Sequence, residues 1–271
     1  MYTDEQKKRA SVWFSSLQDT LIQLLESFEE SALFARKTWT REGGGGGTMA
    51  LLKGDVFEKA GVNVSTVFGE FSKEFQCSIP GAQENPTFWA SGISVVVHPR
   101  SPHIPIIHMN TRMIVTQKGW FGGGIDLTPC LPNKVDTKEF HQALKTTCDE
   151  FNTTYYPTFK AEADTYFYLP HRNEPRGVGG IFYDNVNSED WETDFAFTQA
   201  VGTTFGKIYA ELVKRHLHTP WGDAEREIQL RKRGRYVEFN LIYDRGTHFG
   251  LKTNGNIEAI FMSLPPLVAW E

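Results

Sequence analysis

Between Gly61 and Pro129 the chain offers one short β-rich segment after another, with turn residues between them and no stretch of helical spacing. Gly92 to His98, His108 to Gln117 and Trp120 to Leu127 are rich in Val, Ile, Thr, Trp and Phe, the residues that suit a pleated, half-buried surface. Helical spacing lies on either side. Upstream, Thr3-x-x-Gln6 has the form of a capping box, and Ala10, Trp13, Phe14, Leu17, Leu21, Leu24, Leu25 and Phe28 predict one amphipathic helix from about residue 4 to 36. Downstream, Phe140, Leu144, Cys148 and Phe151 repeat the spacing, with Asp136 or Thr137 as the cap, and a second long helical region spans Glu189 to His218. Strands are expected again at Tyr236 to Tyr243, Thr247 to Lys252 and Ile257 to Ser263, with Asn254-Gly255 as a type I′ hairpin turn. Helix, strands, helices, strands is not a βαβ alternation. It predicts an α+β protein with a mainly antiparallel β-sheet, built by strands of both halves within one domain over 1–271.

The chemistry is bounded by what is scarce. A net charge of −5 disfavours a dedicated nucleic-acid binder. Cys77, Cys130 and Cys148 are odd in number and lack CxxC spacing, so neither a disulfide scaffold nor a zinc ribbon is expected, and a reducing compartment fits best. No apolar stretch is long enough to span a bilayer and Met1 to Lys8 has no signal-peptide character, which points to a cytosolic protein with no integral membrane segment. Gly122-Gly123-Gly124 and Gly177-Val178-Gly179-Gly180 lack dinucleotide-binding spacing, and Gly43 to Gly47 is not followed by Lys-Ser/Thr. That run is expected to be a linker or a loop covering a ligand.

Four constellations could carry chemistry. Alternation puts Ser94, Val96 and His98 on one strand face and His108, Asn110 and Arg112 on another. In one hairpin register His98 faces His108, Val96 faces Asn110 and Ser94 faces Arg112. From His108 to Arg112 is roughly 13 Å at about 3.3 Å per residue, the footprint of a large flat ligand. In Trp120-Phe-Gly-Gly-Gly-Ile-Asp126-Leu-Thr-Pro129 the glycines allow close backbone approach, and Asp126 needs a partner among apolar neighbours unless it caps a turn. His171, Arg172 and Arg176 lie in a Pro/Gly loop suited to carboxylates. Arg231, Arg233 and Arg235 precede Asp244-Arg245-Gly246, where a strand end would turn both charged side chains inward. His98, His108, His141 and His171 could be read as metal ligands, but their spacing is irregular and they fall on separate elements.

The strings Gly92-Ile-Ser-Val-Val-Val-His-Pro, Trp120-Phe-Gly-Gly-Gly-Ile-Asp-Leu-Thr-Pro, His171-Arg-Asn-Glu-Pro-Arg-Gly-Val-Gly-Gly-Ile-Phe and Gly234-Arg-Tyr-Val-Glu-Phe-Asn-Leu-Ile-Tyr-Asp-Arg-Gly-Thr closely resemble the aerobic coproporphyrinogen III oxidases. Gly43 to Gly47, Phe57-Glu-Lys-Ala-Gly-Val-Asn and Met262-Ser-Leu-Pro-Pro do so too, and the match runs from the first helix to the last residue. The resemblance implies a broad antiparallel sheet flanked by helices on both sides, a homodimer, and a further tail beyond Glu271; apolar Ile260, Phe261, Leu264, Leu267 and Trp270, which a lone hairpin would bury poorly, put Tyr236 to Glu271 in the expected interface. It implies oxidative decarboxylation of the ring A and B propionates of coproporphyrinogen III to vinyl groups, giving protoporphyrinogen IX, CO2 and H2O2 in haem biosynthesis. Molecular oxygen is then a co-substrate and there is no organic cofactor; a divalent metal on the four histidines is attributed to some members and is not carried over. By the same resemblance His108, Asp244 and Arg245 are catalytic. Ser94, Asn110, Thr111, Arg112, Asn254, Gly255 and Asn256 contact substrate, as Asp126 is also expected to do, although the bacterial pattern often has Arg where this chain has Asn256.

Overall fold

The computed structural model describes residues 2–77, 79–252 and 255–270. Helix α1 (Asp4–Glu26) opens on the expected capping box, with Thr3 Oγ1 accepting the Gln6 N–H and the Gln6 side chain accepting the Thr3 N–H. It buries the stripe Ala10, Phe14, Leu17, Leu21 and Leu25. It stops well short of residue 36. The Glu26 carboxylate accepts the Phe34 N–H across a turn that spans 27–34, and the edge strand β1 (Ala35–Thr40) starts where the helix was expected to end. Nor is Gly43 to Gly47 a linker or a covering loop. Gly44 and Gly45 take positive φ (+113° and +85°) to turn the chain, and Gly45 begins β2 (Gly45–Leu52), which pairs back on β1.

The chain continues through β3 (Phe57–Glu70), short α2 (Lys73–Gln76), β4 (Thr87–Pro99), β5 (Ile106–Val115) and β6 (Gly119–Thr128). Helix α3 (Lys134–Asp149) is capped by Asn133, not by Asp136 or Thr137. It is followed by α4 (Tyr155–Tyr166), the two-residue strands β7 (Tyr168–Leu169) and β8 (Glu174–Pro175), and β9 (Gly180–Val186). Then come α5 (Trp191–His216), α6 (Asp223–Ile242), α7 (Arg245–Lys252), α8 (Ile257–Ile260) and a 3-10 turn at Phe261–Ser263.

The order β1-β2-β3-β4-β5-β6-β9 makes a fully antiparallel seven-stranded sheet, so the α+β expectation holds. One face carries Val62, Val95, Val97, Met109 and Ile125 into a core shared with α1, α3 and α5. The other face carries Val96 and Ile106 against Tyr236 of α6, while Asn63 donates to the Ala259 carbonyl and Lys59 to those of Phe261 and Leu264. Helix α4 closes the β9 edge, with Phe159 against Tyr183 on the first face and Tyr166 stacked on Phe182 on the second.

The strands expected at Tyr236 to Tyr243, Thr247 to Lys252 and Ile257 to Ser263 do not form; these segments are helical. The later half instead contributes β9, which sequence periodicity did not single out. In α6 the buried positions are Gln229, Arg233, Gly234, Tyr236, Val237, Phe239 and Asn240, a helical face that mixes polar with apolar groups and so hides the stripe. The polar members find tertiary partners: Arg233 donates to Glu58 and the Pro99 carbonyl, and Gln229 to the same carbonyl. Arg233 of the basic cluster is thus turned into the fold, while Arg231 stays exposed and pairs with Glu227. Asn254 lies outside the described residues, and the Gly255 N–H bonds the Gly250 carbonyl at 2.8 Å. No helix among the described residues is long and apolar enough to cross a membrane.

Candidate active site

Pleat alternation puts His108, Asn110 and Arg112 on the face of β5 that α6 covers. On β4, Ser94 lies opposite Asn110, Val96 opposite His108 and Gly92 opposite Arg112. This pairing is displaced by two residues from the expected register. Because side chains repeat every two residues, the displacement keeps each side chain on its expected face and changes only its neighbours. His98 does not meet His108. It is fully buried, its Nε2–H donates to the Ser263 carbonyl at 2.8 Å, and burial drives its pKa down to about 3, so it is neutral. Thr111 points to the opposite face and is fully buried there.

A row of polar side chains crosses the sheet. Asp126 of β6 pairs with His108 Nδ1 at 2.8 Å and with Arg176 Nη2 at 2.7 Å. Arg176 also donates to Asn240 Oδ1 of α6 at 3.0 Å, and its guanidinium is enclosed by Phe167, Tyr236 and Phe239, each ring centre 4.4 to 4.5 Å away. Burial alone would raise the Asp126 pKa, but the charge of Arg176 and the bond from His108 outweigh it and hold the carboxyl below its ordinary value. Asp126 therefore has the partner its apolar surroundings demanded. An ionised Asp126 fixes the proton of His108 on Nδ1. Nε2 is then the acceptor, and Asn110 Nδ2 donates to it at 3.2 Å.

Arg112 continues the row. Its Nη1 donates to Asn110 Oδ1 at 2.8 Å and its Nη2 to Asp184 Oδ1 on β9. It lies across Gly122, where a Cβ would come within 3.0 Å of its guanidinium, so the missing side chain there gives Arg112 its path. From the helical wall Arg245 Nη2 reaches the other oxygen of Asp184 at 3.2 Å, its guanidinium resting over Tyr166 and Phe182.

Asp244 and Arg245 were expected at a strand end; they form the junction of α6 and α7. Asp244 Oδ2 accepts the N–H and hydroxyl of Thr247, both at 2.7 Å, which caps α7. Its Oδ1 accepts the Tyr166 hydroxyl at 2.8 Å, and that hydroxyl accepts the Arg245 N–H at 3.1 Å. Burial opposes the charge on Asp244, yet these bonds keep its carboxyl below its ordinary value. Asn256 caps α8 by accepting the Ala259 N–H at 3.0 Å, so it and Gly255 shape the turn between α7 and α8 and do not join the row.

The four histidines do not converge. His141 bonds the Val178 carbonyl and Tyr156, and His171 bonds Glu238 and Tyr243, while His98 and His108 have the partners already given. Among the described residues no three His, Cys, Asp or Glu side chains gather as a metal site, so these histidines do not fit a shared ion within one chain. Arg172 and Arg176 do meet carboxylates, but the protein's own: Glu238 and Asp126. Sequence reasoning missed Tyr166 and Asp184. The signal for Asp184 was present in Ile181-Phe-Tyr-Asp-Asn, an apolar run that ends in an acid, once that run is read as a strand.

The family described as coproporphyrinogen III oxidase matches residues 9–271. The chain is similar to the oxygen-dependent coproporphyrinogen-III oxidase of Rickettsia bellii (strain OSU 85-389), 55% identical over 269 residues that cover 96% of each chain. The proteins of the same description from Rickettsia akari (strain Hartford) and Rickettsia rickettsii (strain Sheila Smith) are 56% identical over 273 residues, covering 97% of this chain and 98% of theirs. On this evidence of sequence, together with the α+β fold, the chain belongs to the coproporphyrinogen III oxidase family.

Proposed function

We propose that the chain catalyses the oxygen-dependent oxidation of coproporphyrinogen III in haem biosynthesis, converting the ring A and B propionates to vinyl groups. For each propionic acid group, one O2 takes two electrons and two protons. The products are one vinyl group, one CO2 and one H2O2, and two rounds give protoporphyrinogen IX. The observation that carries the reading is the continuous row Asp126, His108, Asn110, Arg112 and Asp184, laid along one sheet face and met by Arg245 from the helical wall above it.

The row suits a macrocycle with four carboxylates and four pyrrole N–H groups. Arg112 and Arg245 hold propionate carboxylates. His108 Nε2, oriented through Asp126, takes and later returns a proton at the ring once substrate displaces the Asn110 N–H that it accepts. Asp244, ionised and buried at the head of α7, stabilises positive charge on the porphyrinogen and fixes Arg245. An electron-rich porphyrinogen losing a pyrrole proton reacts with oxygen directly, so orientation and water exclusion are the protein's task and no organic cofactor is invoked.

The chain is read as one domain over 1–271, working in the cytoplasm as a homodimer. Support for the dimer comes from the C-terminal segment, where Leu241, Ile242, Phe249, Leu251, Ile257, Leu267 and Trp270 are exposed. Light scattering of a monomer at micromolar concentration would remove that part. The decisive activity test adds coproporphyrinogen III without oxygen, then admits air. Protoporphyrinogen, CO2 and peroxide should appear only after air, in amounts fixed by the stoichiometry, and activity should survive chelation and dialysis. Binding with no peroxide would make the chain a carrier. Loss with chelator and recovery only with metal would end the cofactor-free reading.

A further inference from the structure

Asp184 is the one member of the row for which the proposed chemistry has no use. Its two oxygens are divided between the arginines assigned to substrate carboxylates, Oδ1 taking Arg112 from the sheet and Oδ2 taking Arg245 from α7. The arrangement is built. The β6–β9 pairing shifts register between Phe121 and Gly123, and Asn185 beside it has a φ of 62°, an irregularity that re-aims the side chains of β9. Gly122 opens the path of Arg112, and Tyr166 and Phe182 support the guanidinium of Arg245 from behind. The group is not sealed away: the Asp184 side chain keeps 29% of its exposure, Arg112 30% and Arg245 64%. A second carboxylate is close enough to feel it, because burial and then the charge of Asp184 push the Glu162 carboxyl up.

On the reading of the site given above, we infer that Asp184 is a resident carboxylate occupying the place a substrate propionate takes, so that substrate binds and product leaves by exchange of carboxylates. Two arginines this close with no anion between them would repel each other and bind any carboxylate tightly. With Asp184 present the pair carries one net positive charge and keeps its spacing when the site is empty. An entering propionate displaces a carboxylate of its own kind, and Asp184 returns as it leaves. The product still carries two propionates, so without the exchange it would dissociate slowly.

The test compares wild type with Asp184→Asn, which keeps the shape, and Asp184→Glu, which keeps the charge. The probe is air-stable coproporphyrin III, titrated by fluorescence at two salt concentrations, with its tetramethyl ester as the uncharged control. Asp184→Asn should bind the free acid about fivefold more tightly, the scale of a partly exposed ion pair, with a steeper salt dependence. The ester should be unchanged and Asp184→Glu should return towards wild type. In turnover, KM and kcat should both fall as product release slows. Weaker or unchanged binding of the free acid by Asp184→Asn would overturn the inference, since a residue that merely positions the arginines loosens the site when removed. Wild type that neither binds the probe nor turns over coproporphyrinogen would instead sink the reading of the site, and the inference with it.

Discussion

The floor of the site and its wall are held by different means. On the floor, Asp126 and Arg176 are each about 2% exposed, and His108 is bound to Asp126. Every strand that supplies a floor residue is hydrogen bonded to neighbours on both sides except β9, whose edge α4 covers. The wall is α7, eight residues long with only Thr247 buried; the bonds that hold it include the Asp244 cap, the Tyr166 hydroxyl, the bond of Arg245 to Asp184 and that of His248 to the Leu241 carbonyl. The difference teaches where precision is fixed in advance and where substrate completes it. A buried ion pair holds its geometry, whereas a short helix with a single buried side chain can shift as a large ring enters.

Four substitutions probe that contrast, from the largest effect to the smallest. Arg176→Met should remove about 3–5 kcal/mol from the unfolding free energy in urea, because Asp126 is left charged and buried. Adding Asp126→Asn should recover part of the loss. A cost below about 1 kcal/mol would mean that the floor is softer than its burial implies.

Asp244→Asn should lower kcat by at least about 100-fold with a smaller change in KM, the scale of losing one charge-stabilising group. As a helix cap alone it should cost about 1 kcal/mol of stability. If melting temperature and activity fall in step, capping is its whole role. A folded, fully active variant would take it out of the mechanism.

His98 tests the floor through pH. Its folded pKa of about 3 lies below the ordinary value of about 6.5, so in that interval the unfolded chain binds a proton that the folded chain excludes. The contribution is fully present above about pH 6.5 and is lost as pH falls towards 3. Stability should drop by about 1.4 kcal/mol per pH unit across the window. Against that background His98→Gln should flatten the slope; an equally steep variant would assign the dependence to other groups.

Arg245→Lys keeps the charge of the wall but loses the planar fork and its stacking on Tyr166 and Phe182. KM should rise about tenfold, the worth of one charge-assisted bond, with kcat nearly intact. A fall confined to kcat would place Arg245 in the chemistry and not in binding.

Local pattern determined the antiparallel block from β4 to β6, the capping box of α1, the span of α5, and the faces on which Ser94, His108, Asn110 and Arg112 lie. Each depends on period or on adjacent residues, and a two-residue slip in register leaves the faces unchanged. The motif strings alone pointed to the family. What they could not give was the conformation of Tyr236 to Tyr243, Thr247 to Lys252 and Ile257 to Ser263, read as strands and found as helices. In α6 the buried positions include Arg233 and Asn240, whose partners Glu58, the Pro99 carbonyl and Arg176 lie far away in sequence and adjacent in space. Tertiary structure likewise decided that β9 closes the sheet, that Asp244 caps a helix, and that Asp184 stands between two arginines 72 and 61 residues away along the chain. Hydrophobic period is written locally, but the satisfaction of a buried charge is a property of the assembled fold.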